Sequence, residues 1–95
     1  TLGYALFQQG RIAESQAMLE DALDQQRRDF GEMSGPTLRV TRALASVIRD
    51  AGDLPRADTL YRQALRIAMA LFGPHHVETD VAEFVFAMHR HRMGD

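Results

Sequence analysis

The chain has no cysteine and no lysine among its 95 residues. Without cysteine it cannot form a disulfide framework, a thiolate metal site or a cysteine nucleophile. No apolar run approaches the roughly 18 residues that a membrane-spanning helix needs, and no basic segment followed by an apolar one marks a secretion signal. We therefore expect a cytoplasmic protein that does not bind membranes.

Excess charge of one sign is also lacking. The net charge is −2, and all 11 basic residues are arginines, so there is no electrostatic basis for binding nucleic acid. Phosphate-binding loops, nucleophile elbows and dinucleotide fingerprints are absent as well. We expect no enzyme activity and no cofactor. The length suits one small domain, and a start at Thr1 inside a helical pattern predicts a piece of a longer protein.

A repeat organises what is present. The stretch LASVIRDAGDLPRADTLYRQAL at 44–65 is echoed by LGYALFQQGRIAESQAMLEDAL at 2–23, and 44 minus 2 gives a period of 42 residues. A fixed period of this length is typical of stacked helical arrays. The period continues in Gly10, Gly52 and Gly94, in Phe30-Gly31 and Phe72-Gly73, in Thr37 and Thr79, and in Ala45 and Ala87. We expect units at 1–35, 36–77 and 78–95, the first and last truncated.

Apolar residues at helical spacing, separated by glycines, predict about five helices. Asp53 is expected to cap the fourth helix, with Pro55 in its first turn, and Pro36 suits the first turn of the third. The predicted helices span 1–9, 12–30, 36–51, 54–72 and 76–92. The predicted buried stripes include Met18, Leu19, Ala22, Leu23 and Phe30, then Val40, Leu44, Val47, Ile48 and Ala51, then Ala57, Leu60, Tyr61, Ala64, Leu65, Ala68 and Phe72.

The small residues within the repeat distinguish two helical-repeat families. A 42-residue period also suits HEAT repeats, but the pattern Leu44-Ala45-x-x-Ile48, Gly52, Ala57-x-x-x-Tyr61-x-x-Ala64 resembles the tetratricopeptide motif. That motif needs small side chains where paired helices cross closely, with a large ring beside them. The standard unit has about 34 residues, and the surplus lengthens the second helix and the loop between units.

The loop between units resembles that of one subgroup of the family. Phe72-Gly73-Pro74-His75-His76-Val77-Glu78-Thr79 is similar to the corresponding loop of kinesin light chains and their bacterial relatives, and 30–37 keeps the same frame with a shifted proline. The resemblance implies an all-α, right-handed superhelix of antiparallel helix pairs. It also implies a scaffold or adaptor that binds a peptide or helix of another protein in its concave groove.

The first helix of each pair lines that groove in the family. Arg42, Arg49 and Arg92 would form a cationic strip and Phe84 an apolar anchor, so an acidic or amphipathic segment is the expected ligand. Arginines on a helix face also occur simply as solubilising groups. Carried over residue by residue, the groove positions are Tyr4, Phe7 and Gln8 in the first unit, Arg39, Arg42, Ser46, Arg49 and Asp50 in the second, and Phe84, Met88, His91 and Arg92 in the third.

Histidines and carboxylates near the C-terminus are weaker candidates. His89 and His91, two apart on a helix, point away from each other and so cannot share a metal ion. We expect them on the helix surface, expect His75 and His76 in a solvated loop, and expect no metal site. Glu78 and its neighbours suit a helix N-terminus.

Two functions remain open. The first is the scaffold or adaptor module described above. The second is a regulatory or oligomerisation segment of a larger enzyme or transcription regulator. The last helix is apolar over most of its circumference, so we also expect self-association through it, with Phe86 and Ala87 left uncovered for a following helix.

Overall fold

The computed structural model describes the backbone of residues 2–92 and the side chains of residues 10–91. Within this part of the chain there are four α-helices and no strand, which confirms the all-α prediction. None of the four is both long and apolar enough to cross a bilayer. The helices are α1 (Leu2–Phe30), α2 (Gly35–Asp50), α3 (Leu54–Phe72) and α4 (Val77–Arg92).

Glycines and caps set the helix boundaries. Gly31, Gly52 and Gly73 have φ angles of 87°, 95° and 79°, a backbone conformation that other residues rarely adopt. The Asp53 side chain accepts a hydrogen bond from the backbone N–H of Arg56 and caps α3, with a proline in the first turn as predicted. As a result, α3 begins and ends where the sequence predicts.

The predicted break at Gly10 is wrong. α1 continues through this residue, so the two helices expected on either side are one, and the described chain has four helices rather than five. A glycine inside a helix costs only about 1 kcal/mol relative to alanine, which is too little to end a helix. Arg11 and Ala13 stand where the next unit has the capping Asp53 and the helix-starting Pro55. Without a cap and a proline, the helix does not restart.

Successive helices pack side by side: α1 on α2, α2 on α3, and α3 on α4. Within the described residues, backbones of non-successive helices do not approach closely, which is the geometry of a linear array. Alternate helices are linked by polar side chains 36 residues apart. These links are Arg27 to Gln63 and Arg56 to Glu20 between α1 and α3, and Arg42 to Glu78 between α2 and α4.

Two apolar clusters hold the array together. Ala45, Ala57 and Ala68 are fully buried, so small side chains lie at the helix contacts, as the sequence resemblance implied. The first cluster joins α1, α2 and α3 through Leu23, Leu44, Ala45, Ile48, Ala57, Leu60 and Tyr61. The second joins α2, α3 and α4 through Leu38, Ala64, Ile67, Ala68 and Ala82.

The edges of the core differ from the predicted stripes. Met18 is 72% exposed because α1 has a neighbouring helix only on the α2 side within the described chain. Phe30, Ala51 and Phe72 are also exposed, since each lies beside a glycine turn at the end of a helix. Ile67, which the predicted stripe omits, is buried. The apolar period therefore locates the core and overestimates it at helix ends.

Candidate functional site

A groove of about 450 Å³ lies between α2 and α4, the first helices of successive units. It brings together Arg39, Arg42 and Ser46, three of the predicted binding residues. The Ser46 hydroxyl lies 3.3 Å from the hydroxyl of the buried Tyr61, which fixes one wall of the groove. The residues lining this α2–α4 groove are Arg39, Arg42, Ala43 and Ser46 of α2, Tyr61 of α3, and Glu78 and Val85 of α4.

The two groove arginines differ in their partners. Nη1 of Arg42 donates to Oε2 of Glu78 at 2.9 Å, and both side chains are partly exposed. Such a pair contributes at most about 1 kcal/mol, so an incoming carboxylate can compete with Glu78 for this guanidinium. Arg39 is exposed and has no carboxylate partner within the described residues. The groove therefore offers one free guanidinium and one that is weakly held.

Arg49 and Asp50 lie elsewhere. Nη2 of Arg49 is 3.4 Å from Oδ1 of Asp50, and Asp50 lines shallow recesses against α1 beside Ile12. Arg42 and Arg49 thus each have a carboxylate neighbour. The side chain of Arg92 falls outside the described residues, so the cationic strip stays a prediction.

On α4 the corresponding face is apolar. Phe84 is 65% exposed and Met88 51% exposed. Adding the 42-residue period to the groove positions of α2 leads to these two residues and to the exposed Val81. The face that carries arginine on α2 therefore carries apolar side chains on α4. The equivalent pairs are Arg39 with Val81, Arg42 with Phe84, and Ser46 with Met88.

The remaining predicted groove residues contribute less. His91 is exposed near the end of α4. The side chains of Tyr4, Phe7 and Gln8 fall outside the described residues, so the contribution of the first unit to the groove also stays a prediction.

Phe86 corrects the expectation that it awaits a following helix. It is half-buried against the first apolar cluster. The guanidinium carbons of Arg62 and Arg90 each lie 5.8 Å from the centre of its ring. The ring is therefore already partly covered within the described residues, by the cluster and by two cations, whereas Ala87 is exposed as expected.

His89 corrects a second expectation. It was predicted on the helix surface, but it is fully buried between α4 and α3, with its ring centre 4.9 Å from that of Tyr61. Nε2 lies 3.6 Å from Oδ1 of Asp58, which is too far for a hydrogen bond, and neither ring nitrogen has a hydrogen-bond partner. The equivalent residue one period earlier is Val47, an apolar position that could have indicated burial. The described residues contain no cluster of three potential metal ligands.

A second groove, of about 480 Å³, lies between α1 and α3. Within it Arg56 pairs with Glu20 and Arg27 contacts Gln63, while Arg27 also pairs with Glu32 outside the groove. None of the predicted binding positions lines this groove, although its two contacts repeat the 36-residue spacing of Arg42 and Glu78. Its lining residues are Glu20, Asp21, Leu23, Asp24, Arg27, Leu44, Arg56, Thr59, Leu60 and Gln63.

Comparison with known proteins gives a family. The model of a family described as tetratricopeptide repeat matches residues 1–68 and again residues 36–95, so the two matches together span the chain. No curated protein and no solved structure matches it.

Proposed function

Because this chain belongs to the tetratricopeptide repeat family, we propose that its α2–α4 groove binds an amphipathic segment of another protein. Members of this family generally mediate protein–protein interactions. The observation that carries the proposal is the two-part chemistry of the groove and of the α4 face beside it. The free guanidinium of Arg39 lines the groove on α2, and the exposed ring of Phe84, which does not line the groove, lies on the equivalent face of α4.

This chemistry gives the bound segment a direction. Guanidinium groups pair with carboxylates through charge-assisted hydrogen bonds, so acidic residues of the segment lie over α2. Exposed aromatic rings anchor apolar side chains at interfaces, so the apolar part of the segment lies over α4. In the free protein Arg42 pairs with Glu78, and a carboxylate of the ligand replaces Glu78 as the partner of Arg42.

Two substitutions test the two halves separately. Arg39→Glu should weaken binding of an acidic–apolar peptide about ten-fold or more, because it puts a negative charge where the peptide is negative. Phe84→Ser should weaken binding by a similar factor through loss of the apolar anchor. The measurement is fluorescence titration with short peptides that carry a glutamate-rich half and a leucine-rich half, alongside a lysine-substituted peptide.

Matched controls are available within the chain. Arg66→Glu makes the same charge change at an exposed arginine outside the groove, and Phe30→Ser removes an aromatic ring that is 59% exposed. Neither control should change affinity. If both controls weaken binding as much as the groove variants do, or if the lysine-substituted peptide binds best, the proposed site is wrong.

We also propose that the chain belongs to the kinesin-light-chain-like subgroup of the family and acts in the cytoplasm. The Phe-Gly loop that ends with Thr79 and its counterpart that ends with Thr37 support this placement. The sequence of the complete gene tests it: adjoining units should keep the 42-residue spacing of phenylalanine, glycine and threonine.

A second candidate function is self-association through α4, as in a regulatory or oligomerisation segment of a larger protein. It is favoured by the apolar exposure of this helix, where Val77 and Phe84 are both 65% exposed. Sedimentation over a range of concentrations should then show a dimer that Phe84→Ser dissociates. A monomer at every concentration would remove this function without affecting the peptide-binding proposal.

A further inference from the structure

The loops that precede α2 and α4 share one hydrogen-bond arrangement. Oγ1 of Thr37 donates to the carbonyl of Gly31 at 2.7 Å, and 42 residues later Oγ1 of Thr79 donates to the carbonyl of Gly73 at 2.6 Å. Both threonines are fully buried. The two loops therefore hold the start of each helix in the same way, which makes their remaining difference informative.

That difference is the residue that caps the helix. Ser34 caps α2, with its hydroxyl accepting from the backbone N–H of Thr37 at 3.3 Å. The equivalent position before α4 is His76, whose Nδ1 accepts from the backbone N–H of Glu78 at 3.0 Å. Both residues satisfy an N–H of the first turn that has no partner inside the helix. A hydroxyl can accept at any physiological pH, whereas Nδ1 of histidine can accept only while it carries no proton.

We propose that His76 is a pH-dependent cap of α4. Histidine changes charge between about pH 5 and 8. Protonation places an N–H on Nδ1, so two donors then face each other at the first turn. The imidazolium also brings positive charge to the N-terminus of a helix, where the helix dipole disfavours it. Acid therefore loosens the first turn of α4 and leaves the first turn of α2 unchanged.

Side chains from three helices lie around His76. From α3 the ring of Phe72 stacks on it, with ring centres 4.5 Å apart and a 21° angle between the planes. From α2, Arg39 lines the same recess. From α4 itself, Glu78 lines the recess, and its carboxylate accepts from Arg42. The Phe72 stack keeps the ring close to the helix in both charge states, so the change is confined to the hydrogen bond and the first turn.

Arg39 and Glu78 line both the recess that contains His76 and the α2–α4 groove, and Glu78 links the cap to the groove. The N–H of Glu78 donates to His76, and its carboxylate accepts from Arg42. Loosening the first turn of α4 also loosens Glu78 and releases Arg42. The proposal does not depend on peptide binding, because the cap exists in the free protein.

Nuclear magnetic resonance of the whole chain tests the proposal directly. At neutral pH the ring ¹⁵N shifts of His76 should show the proton on Nε2. Between about pH 8 and pH 5, the exchange protection of the Glu78 amide, corrected for intrinsic rates, should fall about five-fold, the factor that a typical N-cap contributes. The Thr37 amide of the serine-capped helix should keep its protection.

Two variants separate the cap from other histidine effects. His76→Ser should abolish the pH dependence at Glu78, and His75→Gln should leave it unchanged. The proposal is overturned if the neutral ring carries its proton on Nδ1. It is also overturned if His76→Ser keeps the wild-type pH dependence or if His75→Gln removes it.

Discussion

Ala22 and Ala64 are the same residue one period apart, yet Ala22 is only half-buried and Ala64 is 1% exposed. The reason is their position in the array. α3 is covered by α2 on one side and by α4 on the other, whereas α1 contacts α2 alone within the described residues. In a linear array, burial is therefore decided by how many neighbours a helix has and not by the residue in the motif.

The largest expected change in stability comes from placing an arginine at each of the two alanines. Ala64→Arg should destabilise the fold by about 4 kcal/mol or more, since it forces a long charged side chain into the contact of α3 with Leu38 and Ala82. Ala22→Arg should cost only about 1 kcal/mol, because a half-buried arginine can extend its head into water. Urea unfolding followed by circular dichroism measures both. Equal losses would show that the two alanines are equally enclosed.

The next largest change in stability is expected at position 89, where one unit has a histidine and the preceding unit has a valine. His89 is fully buried with both ring nitrogens unpaired, and its equivalent Val47 is half-buried. Buried polar atoms without partners cost about 1–3 kcal/mol, so His89→Leu should raise the unfolding free energy by about 1–2 kcal/mol. His91→Leu, at an exposed site on the same helix, is the control and should change little. A loss of stability in His89→Leu would mean that the imidazole stabilises the native contact with Asp58.

The smallest effects differ in sign between the two glycines that the period relates. Gly52 has a φ of 95°, so Gly52→Ala should cost about 1 kcal/mol in backbone strain. Gly10 lies within α1 in the helical conformation, and a Cβ built there meets nothing within 4 Å. Gly10→Ala should therefore stabilise by about 0.5–1 kcal/mol. Thermal unfolding of the two variants checks the signs. A stabilising Gly52→Ala would contradict the positive φ at Gly52, and a destabilising Gly10→Ala would contradict the continuous first helix.

Much of the fold could be predicted from the sequence because its local signals agree. At Gly52 the glycine, the capping Asp53 and the following Pro55 all indicate one turn, and the predicted bounds of α3 match those observed. At Gly10 the period indicated a turn without a cap or a proline to support it, and the prediction failed. A repeat thus tells where a turn belongs, and the local capping chemistry decides whether the turn forms.

Part of the candidate site could be predicted from the sequence. The period places Arg39 and Arg42 on the first helix of a unit, and the structure brings them into one groove. The pairing of Arg42 with Glu78 depends on how far α4 is shifted along its axis relative to α2. The repeat period alone does not give this shift. The burial of His89 was missed because a single helix gives no orientation relative to its neighbours, although comparison with Val47 would have provided it.

The polar links between alternate helices have a mechanical consequence. Two of them join α1 to α3 and one joins α2 to α4, so both sets of alternate helices are linked by side chains. Bending the array in one direction lengthens the contacts of one set and shortens those of the other. Both sets of links contain an ion pair, Arg56 with Glu20 and Arg42 with Glu78. Added salt weakens such pairs, so the array should become less stiff, and its α2–α4 groove should open more easily, as the ionic strength rises.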